Sequence, residues 1–217
     1  MVKTFTDNST LFDSKIVKIF AQTVSIIFHP VFIPLYCTLI FFNSLPFAAL
    51  YSAMYKIFVI ATILVFTCII PFLYILFKYI TGSIPDFYIA NREKRTSVYI
   101  ISLISYVACV FCLVRLRAEP FFLTVFISSV IGFLLIVLIN LKWKISVHSC
   151  GAGVFCGAVF AFAYYLNAAP LMLFCAVILI AGTITSARLM LKVHTLWQVI
   201  AGFFVGLIFS LFPLIIL

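Results

Sequence analysis

The sequence predicts an all-α protein, a polytopic bundle of six or seven transmembrane helices, and three observations predict it. The first is composition: 66% of the 217 residues are hydrophobic and 9% are charged, where a soluble domain carries about a quarter of its residues charged. A water-soluble fold of this length could not hide so much apolar side chain, because the buried fraction grows only slowly with size. The second is a series of apolar runs close to the roughly 20 residues that a spanning helix needs. The third is the placement of charge, which falls almost entirely between those runs.

Seven runs follow one another. Ile16 to Phe42 contains His29, Pro30 and Pro34 and is expected to kink or break, because proline removes a backbone N–H and clashes with the preceding turn. A re-entrant piece there would reduce the count to six. Phe58 to Phe77 and Phe121 to Ile139 are long enough as they stand. Tyr99 to Val114 and Leu171 to Ile184 are short and are expected to extend into their polar flanks. Gly151 to Leu166 carries Gly151, Gly153 and Gly157, and Leu196 to Leu217 carries Gly202 and Gly206 beside Ala201; such small residues let helices approach closely in lipid. No linker divides the chain, so residues 1–217 are expected to form a single integral membrane domain. The start does not read as a cleaved signal, since Asp7 and Asp13 interrupt it and the first apolar run is too long.

Fourteen Lys and Arg stand against five Asp and Glu. The basic residues sit in short loops, which argues against nucleic acid as a partner and for the bilayer's anionic head groups or a phosphate-bearing substrate. With seven spans, one face carries Lys3, Lys15, Lys18 and the loops around Lys78 to Arg95, Lys142 to Lys144 and Arg188 to Lys192, while the other carries Lys56, Arg115 and Arg117. The positive-inside rule places the crowded face in the cytoplasm, and a bacterial plasma membrane is the expected location. Cys109 and Cys112 form a Cys-x2-Cys without a second pair and read as small core residues, not as a redox or metal pair. His29, beside Pro30, reads as a structural or interfacial histidine.

Three polar clusters share the crowded face, each at the edge of an apolar run: Asn91-Arg92-Glu93-Lys94-Arg95, then Lys144-Ile145-Ser146-Val147-His148, then Arg188 through His194 to Gln198. Ionisable groups at such depth are costly and point to function. The third cluster, Arg188-x5-His194-x3-Gln198 followed by Val199, Gly202 and Gly206, resembles the third signature of the type-2 phosphatidic acid phosphatase superfamily, the lipid phosphatases related in fold to vanadium haloperoxidases. That signature reads Ser-Arg-x5-His-x3-Asp. Lys144-x-Ser146-x-His148 is similar to the second signature, Pro-Ser-Gly-His. The resemblance covers roughly the last third of the chain. Gln198 stands where the family has aspartate, Ala187 where it has serine, and Ile145 and Val147 replace its proline and glycine. The first signature, Lys-x6-Arg-Pro, is absent as such; Arg95-Thr96 matches its end, with Tyr88 at the lysine position.

The resemblance implies a membrane phosphatase or phosphotransferase that acts on a lipid phosphate or an isoprenoid diphosphate. Phosphoryl transfer spreads charge over peripheral oxygens that fixed cations stabilise. Arg188, with Lys144, Lys192 and the cluster from Arg92 to Arg95, would form that cradle, and arginine supplies a fork matched to phosphate. By the same resemblance His194 would be the nucleophile, His148 the acid and then the base, and Ser146 a hydrogen-bond donor to a phosphate oxygen. The scheme needs neither metal nor cofactor. Gln198, four residues after His194 on a helix, can orient the imidazole but cannot neutralise it as a carboxylate would. In serine proteases the equivalent Asp-to-Asn change costs about four orders of magnitude in turnover, so an active enzyme is expected to be slowed or to use a substitute carboxylate such as Glu93 or Asp86. The alternative is a catalytically degenerate relative that binds anionic lipid. A transporter fits less well, since there is no internal repeat and no string of midplane acids. Members of the resembled family commonly work on the outer or lumenal side, against the side that the charge count favours here.

Overall fold

A computed structural model describes residues 14–44, 47–84, 92–168 and 170–216, the side chains of residues 47, 48, 92–94 and 216 excepted. Every regular element among them is helical. Seven helices are long and apolar enough to cross a membrane: Lys15–Asn43, Ala53–Ile80, Arg95–Arg115, Pro120–Asn140, Val147–Tyr165, Leu171–Met190 and Leu196–Ile215. The chain is therefore a multi-pass integral membrane protein with an all-α bundle. The third and sixth spans do extend beyond their apolar runs, and hydroxyl chemistry permits it. In the sixth, Thr183 donates to the Leu179 carbonyl at 2.7 Å and Thr185 to the Ala181 carbonyl at 2.9 Å. These polar side chains are satisfied inside their own helix and cost little in lipid.

The first span breaks where its prolines predict. A helix over Lys15–Ile27 gives way to a single 3-10 turn, Pro30–Phe32, before a second helix over Ile33–Asn43. Both halves belong to one crossing, so the count is seven. His29 has the extended backbone that a residue before proline must adopt (φ −63°, ψ 139°), and its N–H bonds three residues back to the Ile26 carbonyl at 3.2 Å. The Ser25 carbonyl thereby loses its helical partner. The second span has its own irregularity, a π-helical stretch over Leu64–Ile69 just before Pro71. The two irregular segments face each other: Thr67 and Cys68 donate to the Val31 carbonyl at 3.3 and 3.1 Å. Ser105 of the third span reaches the Phe66 carbonyl at 2.6 Å. Freed backbone groups are thus met by protein, as they must be where no water reaches.

The fifth span is the most buried and packs on the sixth, on the fourth and on the second half of the first. Its closest partner is the seventh. A Cβ at Gly153 would run into the Phe203 carbonyl, and one at Gly206 into the Cys150 carbonyl. Backbone lies on backbone along this seam, which only glycine allows. The seam fixes the starts of both helices side by side; the fifth span's first turn carries His148, and His194 lies just ahead of Thr195, the N-cap of the seventh. The seven described cysteines are free thiols, with Cys109 buried in the core.

Candidate functional site

Arg188 occupies the last turn of the sixth span and is only 3% exposed. Its Nη1 donates to the Ser25 hydroxyl at 3.0 Å, and that hydroxyl donates in turn to the Ala21 carbonyl at 2.8 Å. The Ser25 carbonyl, released by the break at Pro30, lies 3.2 Å from His148 Nε2. A carbonyl can only accept, so Nε2 of His148 carries the proton in this arrangement. The His29 ring meets His148 edge to face, centroids 5.0 Å apart at 85°. Nδ1 of His29 faces the Val31 N–H at 3.5 Å, which draws its proton to Nε2. One broken helix thus supplies a partner to the arginine and a partner to the histidine.

His194 sits in the short connection between the sixth and seventh spans and is 7% exposed. Its Nδ1 lies 3.1 Å from Gln198 Oε1, and the same oxygen accepts the Thr195 N–H at 3.2 Å. A backbone N–H can only donate, so the atom facing it is the amide oxygen. Nδ1 of His194 must then be the protonated nitrogen, which leaves the lone pair on Nε2. Gln198 therefore does two jobs: it closes the capping box that starts the seventh span, and it fixes the tautomer of His194. Burial, followed by the charges of Arg95, Arg188 and Lys144, holds the His194 pKa down to about 3 despite the opposing hydrogen bond from Gln198. The imidazole is neutral at physiological pH. Burial, Arg95 and Arg188 also lower the pKa of half-buried Lys144. Lys192, between Arg188 and His194, adopts φ 55°, a left-handed backbone unusual for a residue other than glycine.

The remaining residues fall as follows. Arg95 is buried at the start of the third span and, with Tyr99, lines a cavity of about 660 Å³. Ser25, His29, His148 and Arg188 complete its polar end, and its body is mostly apolar, with Ser102 and Ser129 among the lining residues. His194, Gln198, Lys144 and Lys192 line a second, shallower depression beside it. Arg188 lines the larger cavity and not the depression, although its charge acts on His194. Ser146, fully buried, caps the fifth span. Its hydroxyl accepts from the Ser149 N–H at 3.3 Å and from the Ser149 hydroxyl at 2.8 Å, and its N–H donates to the Gln198 carbonyl at 3.2 Å. It lines neither concavity. The side chains of Arg92 and Glu93, and Asp86 altogether, lie outside the described residues. Among the described residues no three His, Cys, Asp or Glu gather as a metal site.

His29 and Ser25 were not legible as parts of a site. The one available signal was the His29-Pro30 break, since a broken spanning helix presents backbone groups to whatever lies inside. No family model, curated protein or solved structure matches the chain.

Proposed function

We propose that this chain is a membrane phosphatase or phosphotransferase for a lipid phosphate or isoprenoid diphosphate, set in a bacterial plasma membrane. The observation that carries the reading is buried Arg188, which lines the cationic end of a largely apolar cavity together with His148 and Arg95. The Ser25 hydroxyl is a neutral acceptor for the Arg188 guanidinium, and an anionic phosphate, which can take two parallel N–H···O bonds from the arginine fork, would compete with it. Arg188, Arg95 and Lys144 would hold the phosphate oxygens. Nε2 of His194 would attack phosphorus as the bond to the lipid oxygen breaks, and His148, having taken up a second proton to become imidazolium beside the bound phosphate, would give that oxygen its Nε2 proton and return to the neutral form. Water deprotonated by His148 would then displace phosphate from His194.

Phosphate release from a panel of lipid phosphates and diphosphates, by purified protein in lipid, tests this reading. Activity that His194→Ala abolishes supports it; no release from any member sinks it. A second reading, a relative that binds anionic lipid without turning it over, draws on one feature: the neutral amide of Gln198, where a carboxylate would stabilise charged His194. On that reading Arg188→Ala weakens lipid binding although the native chain releases no phosphate.

A further inference from the structure

The 660 Å³ cavity is larger than a phosphate head group requires, and its shape is informative. Its walls follow the fifth span from His148 to Phe162, about 21 Å at 1.5 Å per residue, or some two-thirds of the hydrocarbon thickness of a bilayer. Cations and histidines cluster at one end, and Phe122, Phe126 and Phe162 close the other. The side wall includes Ile26 and Phe72, which are 59% and 53% exposed and face lipid on a membrane-spanning chain. The cavity therefore reaches the bilayer sideways, between the first and second spans, next to the break at Pro30.

We infer that this cavity is a tail chamber for one hydrocarbon chain of a single-chain lipid phosphate, admitted laterally from the membrane with its phosphate drawn to Arg188 and Arg95. The inference rests on the proposed head-group site and adds the identity of the tail. A methylene fills about as much space as a water molecule, roughly 30 Å³, so the cavity holds on the order of twenty carbons. Dividing volume by length leaves a mean cross-section of about 30 Å², which fits one chain of close-packed carbons and leaves no room for a second beside it. Lipid offers the chain an equally apolar home, so the chamber selects by length and chain number, not by hydrophobicity. The charged end supplies the pull.

Native mass spectrometry of the purified full-length chain tests the proposal with monoalkyl phosphates of 8, 12 and 16 carbons, uncharged hexadecanol, and a two-chain phosphatidate with 16-carbon chains. The 16-carbon monoalkyl phosphate should bind at least tenfold more tightly than the 8-carbon one, than hexadecanol and than the two-chain lipid. Ala158, fully buried, lies ten residues along the fifth span from His148 and lines the chamber. Ala158→Leu shortens the chamber and should reduce the ratio of 16-carbon to 8-carbon binding at least fivefold. If that variant does not fold, the native series decides alone. Equal binding of 8- and 16-carbon phosphates, binding of the two-chain lipid as tight as that of the single-chain one, or an unchanged ratio in folded Ala158→Leu overturns the chamber. Binding of hexadecanol as tight as that of its phosphate overturns the charged end. Length-selective binding without phosphate release keeps the chamber and ends the enzymatic reading; release indifferent to chain length does the reverse.

Discussion

Gln198 shows how one amide can be read in two ways. As a departure from the resembled signature it is a missing carboxylate; in the structure it is an acceptor shared by the Thr195 N–H and His194 Nδ1. Gln198→Glu keeps the reach to both donors and adds the charge, and Gln198→Asp adds it on a shorter arm. An opposite charge at hydrogen-bonding distance raises the pKa of an imidazole by about 1–3 units. The His194 resonance in a histidine-labelled Gln198→Glu sample should therefore titrate well above the native value of about 3. If the chain is an active phosphatase, turnover should rise with it, more in Glu than in Asp. The native shift has a consequence for stability. The unfolded chain protonates this imidazole below about pH 6.5, whereas the folded protein resists until about 3. Stability due to His194 is thus flat above 6.5 and falls as the pH drops through that window, by at most about 1.4 kcal/mol per pH unit. Thermal unfolding in detergent between pH 7 and 4 should show a shallower decline in Gln198→Glu, and an identical decline would count against the assignment.

At the scale of elements, the seam between the fifth and seventh spans carries the architecture of the site. Glycine in a helix interior costs about 1 kcal/mol relative to alanine, so Gly→Ala normally stabilises. Gly182 in the sixth span has nothing within 4 Å of an added Cβ, and Gly182→Ala should raise the melting temperature slightly or leave it unchanged. Gly206→Ala should lower it. The added methyl meets the Cys150 carbonyl and sits 2.8 Å from the Val154 nitrogen, and backbone cannot swing aside as a long side chain can. A cost of about 1–3 kcal/mol is expected from overpacking of this kind. Because the seam also registers Ser146 against Gln198, Gly206→Ala should disturb lipid binding as well, whereas Gly182→Ala should not. A melting temperature lowered by Gly206→Ala and not by Gly182→Ala is the check.

For the whole molecule, sidedness follows from alternation. With seven spans, the ends bearing Arg95, His148, Arg188 and His194 share one face, and Lys56 lies towards the other. Arg95 and Arg188 are buried in the bundle and so weigh less in a surface charge count than exposed Lys142 and Lys192. Those two remain on the crowded face, which keeps the expectation cytoplasmic. Single cysteines at Lys142 and Lys192, in a chain whose native cysteines are replaced, should react with a membrane-impermeant thiol reagent only after the cells are opened. A cysteine at Lys56 should react in intact cells. The reverse pattern would put the site outside, where the resembled family commonly works, and labelling of all three positions from one side would break the seven-span arrangement.

The sequence by itself determined that the chain lives in a bilayer, that it crosses six or seven times, that its first span breaks at its prolines, and which small residues pack helix on helix; the structure made the count seven. These are local matters: apolar run length, proline's missing N–H and glycine's missing side chain act within a turn or two of where they stand. It also pointed to Arg188, His148, His194 and Gln198 through their spacing. Only the tertiary structure decided what those residues meet. Ser25 and His29 lie more than a hundred residues from their partners, and no periodicity announces that a proline-freed carbonyl will be taken by a distant histidine. Ser146 shows the converse, a residue whose local pattern suggested a ligand but whose hydroxyl is engaged in capping its own helix. The cavity belongs to no single segment. It is the space that six spans leave between them, and its volume follows from packing, which no stretch of sequence specifies alone.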